Sequence, residues 1–218
     1  LNIADIKQLV AYKSHKECNL TTRRKISRRT MEPRSIVSLL LLSSLLISSS
    51  QATSRSLQYL RTACGVTRYP SLCYNSLVGY AKAIGTNDVE LGKTALRISL
   101  DVAVDMSNVL KNISMEQKSS KALAGIIDTC SYQVKDVIYE LKQSIDAIGT
   151  LKGPNAKFKF NSIQTWVSAA LTDATTCTDE INEGKQPNPV IISKIGQSIS
   201  QLSMLISNAL ALISRMKY

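Results

Sequence analysis

The residues able to do chemistry are few and unevenly placed. There is one histidine, His15, and there are five cysteines, Cys18, Cys64, Cys73, Cys130 and Cys177. Beyond His15 the chain has no imidazole to relay a proton, no glycine-rich phosphate loop and no serine set in a nucleophile elbow. Carboxylates remain. Asp101 with Asp105 and Asp136 with Glu140 stand four apart, so each pair shares a helix face as an acid/base couple would; on an exposed face the same spacing is solvated charge. Asp179, Glu180 and Glu183 crowd one helix end, where they could collect a cation against the helix dipole. Such a set predicts a non-catalytic protein, without cofactor or metal, that acts by binding.

The odd cysteine count resolves once the front of the chain is divided. Residues 1–30 are polar and basic and open on Leu1 rather than Met, which reads as an upstream extension or disordered leader. Residues 31–52 read as a secretory signal. Arg34 follows Met31, an apolar run covers 36–47, and Ser50-Gln51-Ala52 offers small residues for cleavage. That run is about 12 residues, short of the roughly 20 that span a bilayer, so no membrane anchor is expected after cleavage. Cys18 falls in the leader. The four cysteines left behind a signal imply an oxidised, secreted framework of two disulfides, for which spacing alone allows three pairings.

Charge changes in the same way. The whole chain carries a formal +11, but from Thr53 onward 18 Lys and Arg face 13 Asp and Glu, leaving +5. No basic cluster with interleaved aromatics remains, so nucleic acid is not an expected partner. The residual charge fits a soluble surface, or association with an acidic polysaccharide or partner.

Periodicity supplies the positioning elements. Leu123, Ile127, Cys130, Val134, Val137, Leu141, Ile145 and Ile148 keep one face of a helix, as do Ile163, Val167, Ala170, Ala174, Cys177 and Ile181. Cys130 and Cys177 therefore sit in two core stripes, and a cross-link between those helices is the economical pairing, leaving Cys64 with Cys73 as a local staple. Residues 57–83 read as a short helical hairpin, with Pro70 opening its second arm.

Four long helices are expected after it, over about 87–216. The first starts at Asn87 with Glu90 as capping-box partner and carries Ala95, Leu96, Leu100, Ala103, Val104, Val109 and Leu110 to about Ile113. The second runs from after Ser119 to near Gly149. A loop over 150–160 containing Lys157 and Lys159 precedes the third, which starts at Asn161 with Gln164 as its capping partner and runs to about Gly184. The last opens at Pro189 and carries Ile195, Ile199, Leu202, Ile206, Ala209, Ile213 and Met216. The fold class is all-α: an up-and-down antiparallel four-helix bundle behind a short hairpin, forming one domain over 53–218. Asn112-Ile113-Ser114 is a sequon for N-glycosylation of Asn112.

The frame Cys64-Gly65-Val66-Thr67-Arg68-Tyr69-Pro70-Ser71-Leu72-Cys73, followed by Cys130 and Cys177, resembles the plant invertase and pectin methylesterase inhibitor superfamily over residues 57–218. The stretch from Gln164 to Asp173, running into Thr176-Cys177, is most similar to the pectin methylesterase inhibitor branch. The resemblance implies disulfides Cys64–Cys73 and Cys130–Cys177 and a one-to-one complex that covers the substrate cleft of pectin methylesterase in the cell wall. It also implies enzyme contact by Thr176. Trp166, beside core-facing Val167, reads as a packing anchor. Acid invertase is the alternative target within the superfamily; its inhibitors tend to carry a Pro-Lys-Phe triplet near the fourth cysteine, whereas this chain has Ala156-Lys157-Phe158, earlier and without the proline. A non-inhibitory wall-associated helical protein is the reading from another class.

Overall fold

Apolar residues spaced by three and four lie on one side of a 3.6-residue turn, and such a stripe is buried only when other helices cover it. The computed structural model describes residues 54–116, 121–183 and 188–217. Helix α1 spans 54–65 and α2 spans Pro70–Leu77, followed by a 3-10 turn over Val78–Tyr80 and one helical turn over Ala81–Ile84. Four long helices come next: α3 Asp88–Glu116, α4 Lys121–Gly149, α5 Ala156–Glu183 and α6 Pro189–Ser214. Among the described residues there is no strand. The expected leader over 1–30 and signal segment over 31–52 lie outside the described residues.

Length forces the topology. Helix α4 has 29 residues, about 43 Å at 1.5 Å each, whereas residues 150–155 of its connection to α5 reach at most about 20 Å. Successive long helices must therefore reverse. Each packs on its chain neighbours, and α6 returns to α3 to close the ring, with α4 against α5 the most extensive contact. The centre is aliphatic: Leu96, Leu110, Leu141, Ile163, Ile199 and Leu202 are wholly buried.

The helix starts follow local chemistry, with two departures from expectation. At α3, the Asn87 side-chain oxygen accepts from the amides of Val89 at 2.8 Å and Glu90 at 3.2 Å. The Asn87 amide itself donates to the Ile84 carbonyl at 3.1 Å, so Glu90 is not its reciprocal capping partner. Helix α5 begins at Ala156, not Asn161. Gly153, at φ 79, turns the chain, the Lys159 amide donates to the Asn155 carbonyl at 3.0 Å, and Phe160 joins the buried stripe one step ahead of Ile163. The predicted loop thus shrinks to 150–155, Lys157 and Lys159 are helical, and Gln164 donates instead to the Ser214 hydroxyl on α6 at 3.2 Å. Val104 and Val109, assigned to the first stripe, are exposed, and Ile145 is only half-buried while Ser144 takes the core position. The Ser144 hydroxyl is accommodated there by donating to the Glu140 carbonyl at 2.8 Å.

The hairpin is tied to the bundle by polar contacts as well as by buried Leu60, Ala63 and Leu77. The Tyr59 hydroxyl donates to Asp88, at the start of α3, and Arg215 approaches the same carboxylate at 3.9 Å. Burial first, then the bond to Asp88 and its negative charge, push the Tyr59 phenol above its ordinary range. Asn208 of α6 joins the turn between the arms: its oxygen accepts from the Tyr69 amide at 3.1 Å and its nitrogen donates to the Tyr69 carbonyl at 3.0 Å.

A close approach of α3 to the end of α6 depends on a missing side chain. A Cβ on Gly92 of α3 would lie 3.0 Å from the Met216 sulfur and 3.2 Å from Ile213. Gly92→Leu is expected to force these groups apart at about 1–3 kcal/mol, lowering the urea midpoint with an unchanged slope. An unchanged midpoint would show that the contact is not tight in solution.

Candidate functional site

Helices α4 and α5 form the wall that carries most of the residues singled out from sequence. Their cysteines are wholly buried, and Cys130–Cys177 joins the helices with Cα atoms 4.8 Å apart. Cys64–Cys73 staples the hairpin, Cα to Cα 5.5 Å. Of the residues flanking the two cysteines, Thr129, Ser131 and Thr178 are half-buried. Thr176, immediately before the buried Cys177, is exposed, and its hydroxyl donates to the Thr172 carbonyl at 3.0 Å. The hydroxyl oxygen is left to accept from a partner. Thr172 and Thr175 are exposed beside it and also bond back to the helix. A threonine-rich surface already bonded to its own backbone offers a firm contact with little hydroxyl freedom to lose.

Two aromatic residues on α4 were missed in the sequence. Tyr132 and Tyr139 are 63% and 62% exposed. They stand seven apart, two turns of helix, so they share one side. Neither lies on the apolar stripe, and that signal, large aromatics off the stripe of an amphipathic helix, was available. Trp166 is half-buried beside wholly buried Val167, and Leu171 is half-buried.

The carboxylate pairs separate into two kinds. Asp101 and Asp105 are both exposed. Asp136 and Glu140 are half-buried and meet a third carboxylate, Asp173, from α5. Burial is the main cause that pushes Glu140 up to about 7, followed by the negative charges of Asp173 and Asp136 and a hydrogen bond with Asp173. Asp173 is also raised, by burial first and then by Asp136. Asp179, Glu180 and Glu183 are exposed at the end of α5, and the described residues contain no group of three or more side chains arranged to hold a metal. A depression between α5 and α6 is lined by Thr178, Ile181, Ile192, Gly196 and Met204 among others, with no charged group. No described helix is long and apolar enough to cross a membrane. Asn112 is exposed in the last turn of α3.

A bundle of this outline could serve many ends, and the comparisons with known proteins narrow it. The family model described as plant invertase/pectin methylesterase inhibitor matches residues 58–212, the hairpin and the bundle together. The chain belongs to the plant invertase/pectin methylesterase inhibitor family. Among its relatives, pectinesterase inhibitor 4 of Arabidopsis thaliana is 35% identical over 159 residues, 72% of this chain and 79% of that protein. The 21 kDa protein of Daucus carota is 33% identical over 173 residues, 78% of this chain and 89% of that one. The fold matches the crystal structure of a mutant form of a pectin methylesterase inhibitor from Arabidopsis at a TM-score of 0.60 and 20% identity, covering 72% of this chain and 97% of that one.

Proposed function

We propose that this protein is a secreted inhibitor that binds plant pectin methylesterase one-to-one and covers its substrate cleft, limiting pectin de-esterification in the cell wall. The observation that carries this reading is the 35% identity over 159 residues to pectinesterase inhibitor 4. The physical mechanism is steric. Helices α4 and α5, cross-linked through their cores, carry exposed Tyr132 and Tyr139 on one helix and exposed Thr176 on the other, and the cross-link orders both helices before docking, so little conformational entropy is lost on binding. The two tyrosines add aromatic area of the kind that anchors protein interfaces. Extracellular placement and glycosylation at Asn112 belong to the same reading.

The test is a parallel titration of the oxidised protein into plant pectin methylesterase and acid invertase. Stoichiometric loss of esterase activity alone is expected; loss of invertase activity alone would reverse the assignment. Thr176→Arg places a long charged group on the docking face and is expected to weaken esterase inhibition at least about tenfold, about 1.4 kcal/mol. As an exposed change it should leave the thermal midpoint nearly unmoved. Full inhibition by this variant would remove Thr176 from the interface.

A further inference from the structure

The charges of the bundle are sorted by end. Helices α3 and α5 begin, and α4 and α6 finish, at one end, which carries exposed Lys152, Lys157 and Lys217 and half-buried Lys93 and Lys159. The acids there are Asp88, Glu90 and Asp146, and Asp88 is already engaged by the Tyr59 hydroxyl and Arg215. Helix α5 shows the sorting within one element: its cations are Lys157 and Lys159 in the first turn, and its acids, Asp173, Asp179, Glu180 and Glu183, all follow in the second half. Both sets oppose the helix dipole, which favours anions at a helix start and cations at its end. Helix stability therefore does not account for them.

Phe158, between the two lysines, is 75% exposed. The turn that bears it is held in place, because the Lys159 ammonium donates to the Thr150 carbonyl at 2.9 Å and to its hydroxyl at 3.2 Å. Lys152 of the same connection and Lys93 of α3 line one depression with Asn87, Glu90 and Leu151. We propose that this end of the bundle binds an acidic polysaccharide, a polyuronate, with sugar carboxylates against Lys93, Lys152 and Lys157 and the apolar C–H face of one sugar ring on Phe158. Ammonium groups on flexible stems, contributed by three elements, suit carboxylates repeated along a chain better than one fixed bidentate anion. The exposed ring adds apolar contact that a simple counterion could not use. Two lysines around one ring fall short of the basic stretch with repeated aromatics that tracks a nucleic-acid strand. The choice of a polysaccharide also rests on the extracellular placement proposed above, whereas the binding itself needs no esterase.

The experiment measures binding of the oxidised protein to polygalacturonate by calorimetry, with no esterase present and with fully methyl-esterified pectin and single-stranded DNA as comparisons. Binding to polygalacturonate that weakens with salt and is absent from the esterified polymer is expected. Lys152→Glu together with Lys157→Glu should weaken it at least about tenfold. Both residues are exposed and the second change agrees with the helix dipole, so the fold is expected to hold. The same charge reversal at Lys121 and Lys194, exposed at the other end, should alter binding less than about twofold, because about 40 Å of helix is several Debye lengths at about 0.15 M salt. Phe158→Ala should weaken binding about threefold with no change of charge. No binding to polygalacturonate, equal losses from the two reversed pairs, no loss from Phe158→Ala, or tighter binding to DNA overturns the proposal. Should either pair fail to fold, Phe158→Ala and the two comparison polymers decide. Esterase inhibition is titrated separately, and its failure would alter none of these outcomes.

Discussion

Replacing Cys130 and Cys177 together by alanine should lower the unfolding free energy by about 4 kcal/mol, the chain entropy that a cross-link of this span withholds from the unfolded state. Removing two wholly buried sulfurs adds a smaller packing loss. For a domain of this size the melting temperature should drop by about 8–16 °C. The residues joined are 47 apart in sequence, whereas Cys64 and Cys73 are 9 apart. Loss of the shorter link should cost about 3 kcal/mol by the same reasoning, and its effect should be concentrated in the hairpin. Denaturant unfolding under non-reducing conditions, with amide exchange to locate the opening, distinguishes the two. Equal costs confined to the hairpin in both variants would show that Cys130–Cys177 does not hold the bundle together.

The same pair of cysteines shows what could be read before any coordinates. Each lies on an apolar stripe of threes and fours, and a core-facing cysteine on one long helix can reach only another core-facing cysteine. The stripes of α5 and α6 were legible for the same reason: apolar residues recur over about five to six turns, so one misplaced residue does not change the phase. Where the signal was short, it misled. Lys157 and Lys159 around an exposed Phe158 look like loop, and only the burial of Phe160 extends α5 back to Ala156. Val104 and Val109 are apolar but off the buried side of α3, which periodicity in a valine-rich stretch separates poorly. The candidate site was half legible. Thr176 is exposed because it precedes a stripe residue, but the meeting of Asp173 with Glu140 depends on how two helices are set against each other, and neither helix encodes that by itself.

Asn208 was invisible for the strongest form of that reason, since its partner Tyr69 is 139 residues away. Asn208 is 3% exposed on the core side of α6, a position where the stripe alone would call for an aliphatic residue. Its amide is satisfied because the turn between α1 and α2 has a backbone in need of the same two bonds. Tyr69 precedes Pro70 and its amide has no helical acceptor there; its carbonyl accepts from Cys73 as well at 3.0 Å. Asn208→Ala therefore orphans the Tyr69 amide but not the carbonyl. The expected cost is about 1–3 kcal/mol, combining an unpaired, part-buried donor with a lost side chain. Exchange of the Tyr69 amide should accelerate by at least about thirtyfold, the equivalent of some 2 kcal/mol of local opening. Because Cys64–Cys73 restrains the same turn, loss of both should differ from the sum of the single losses, whereas Asn208→Ala and Cys130–Cys177 removal should add. Additivity with the hairpin disulfide, or an unchanged Tyr69 exchange rate, would mean that the hairpin is held by its apolar contacts alone and that Asn208 merely tolerates its place in the core.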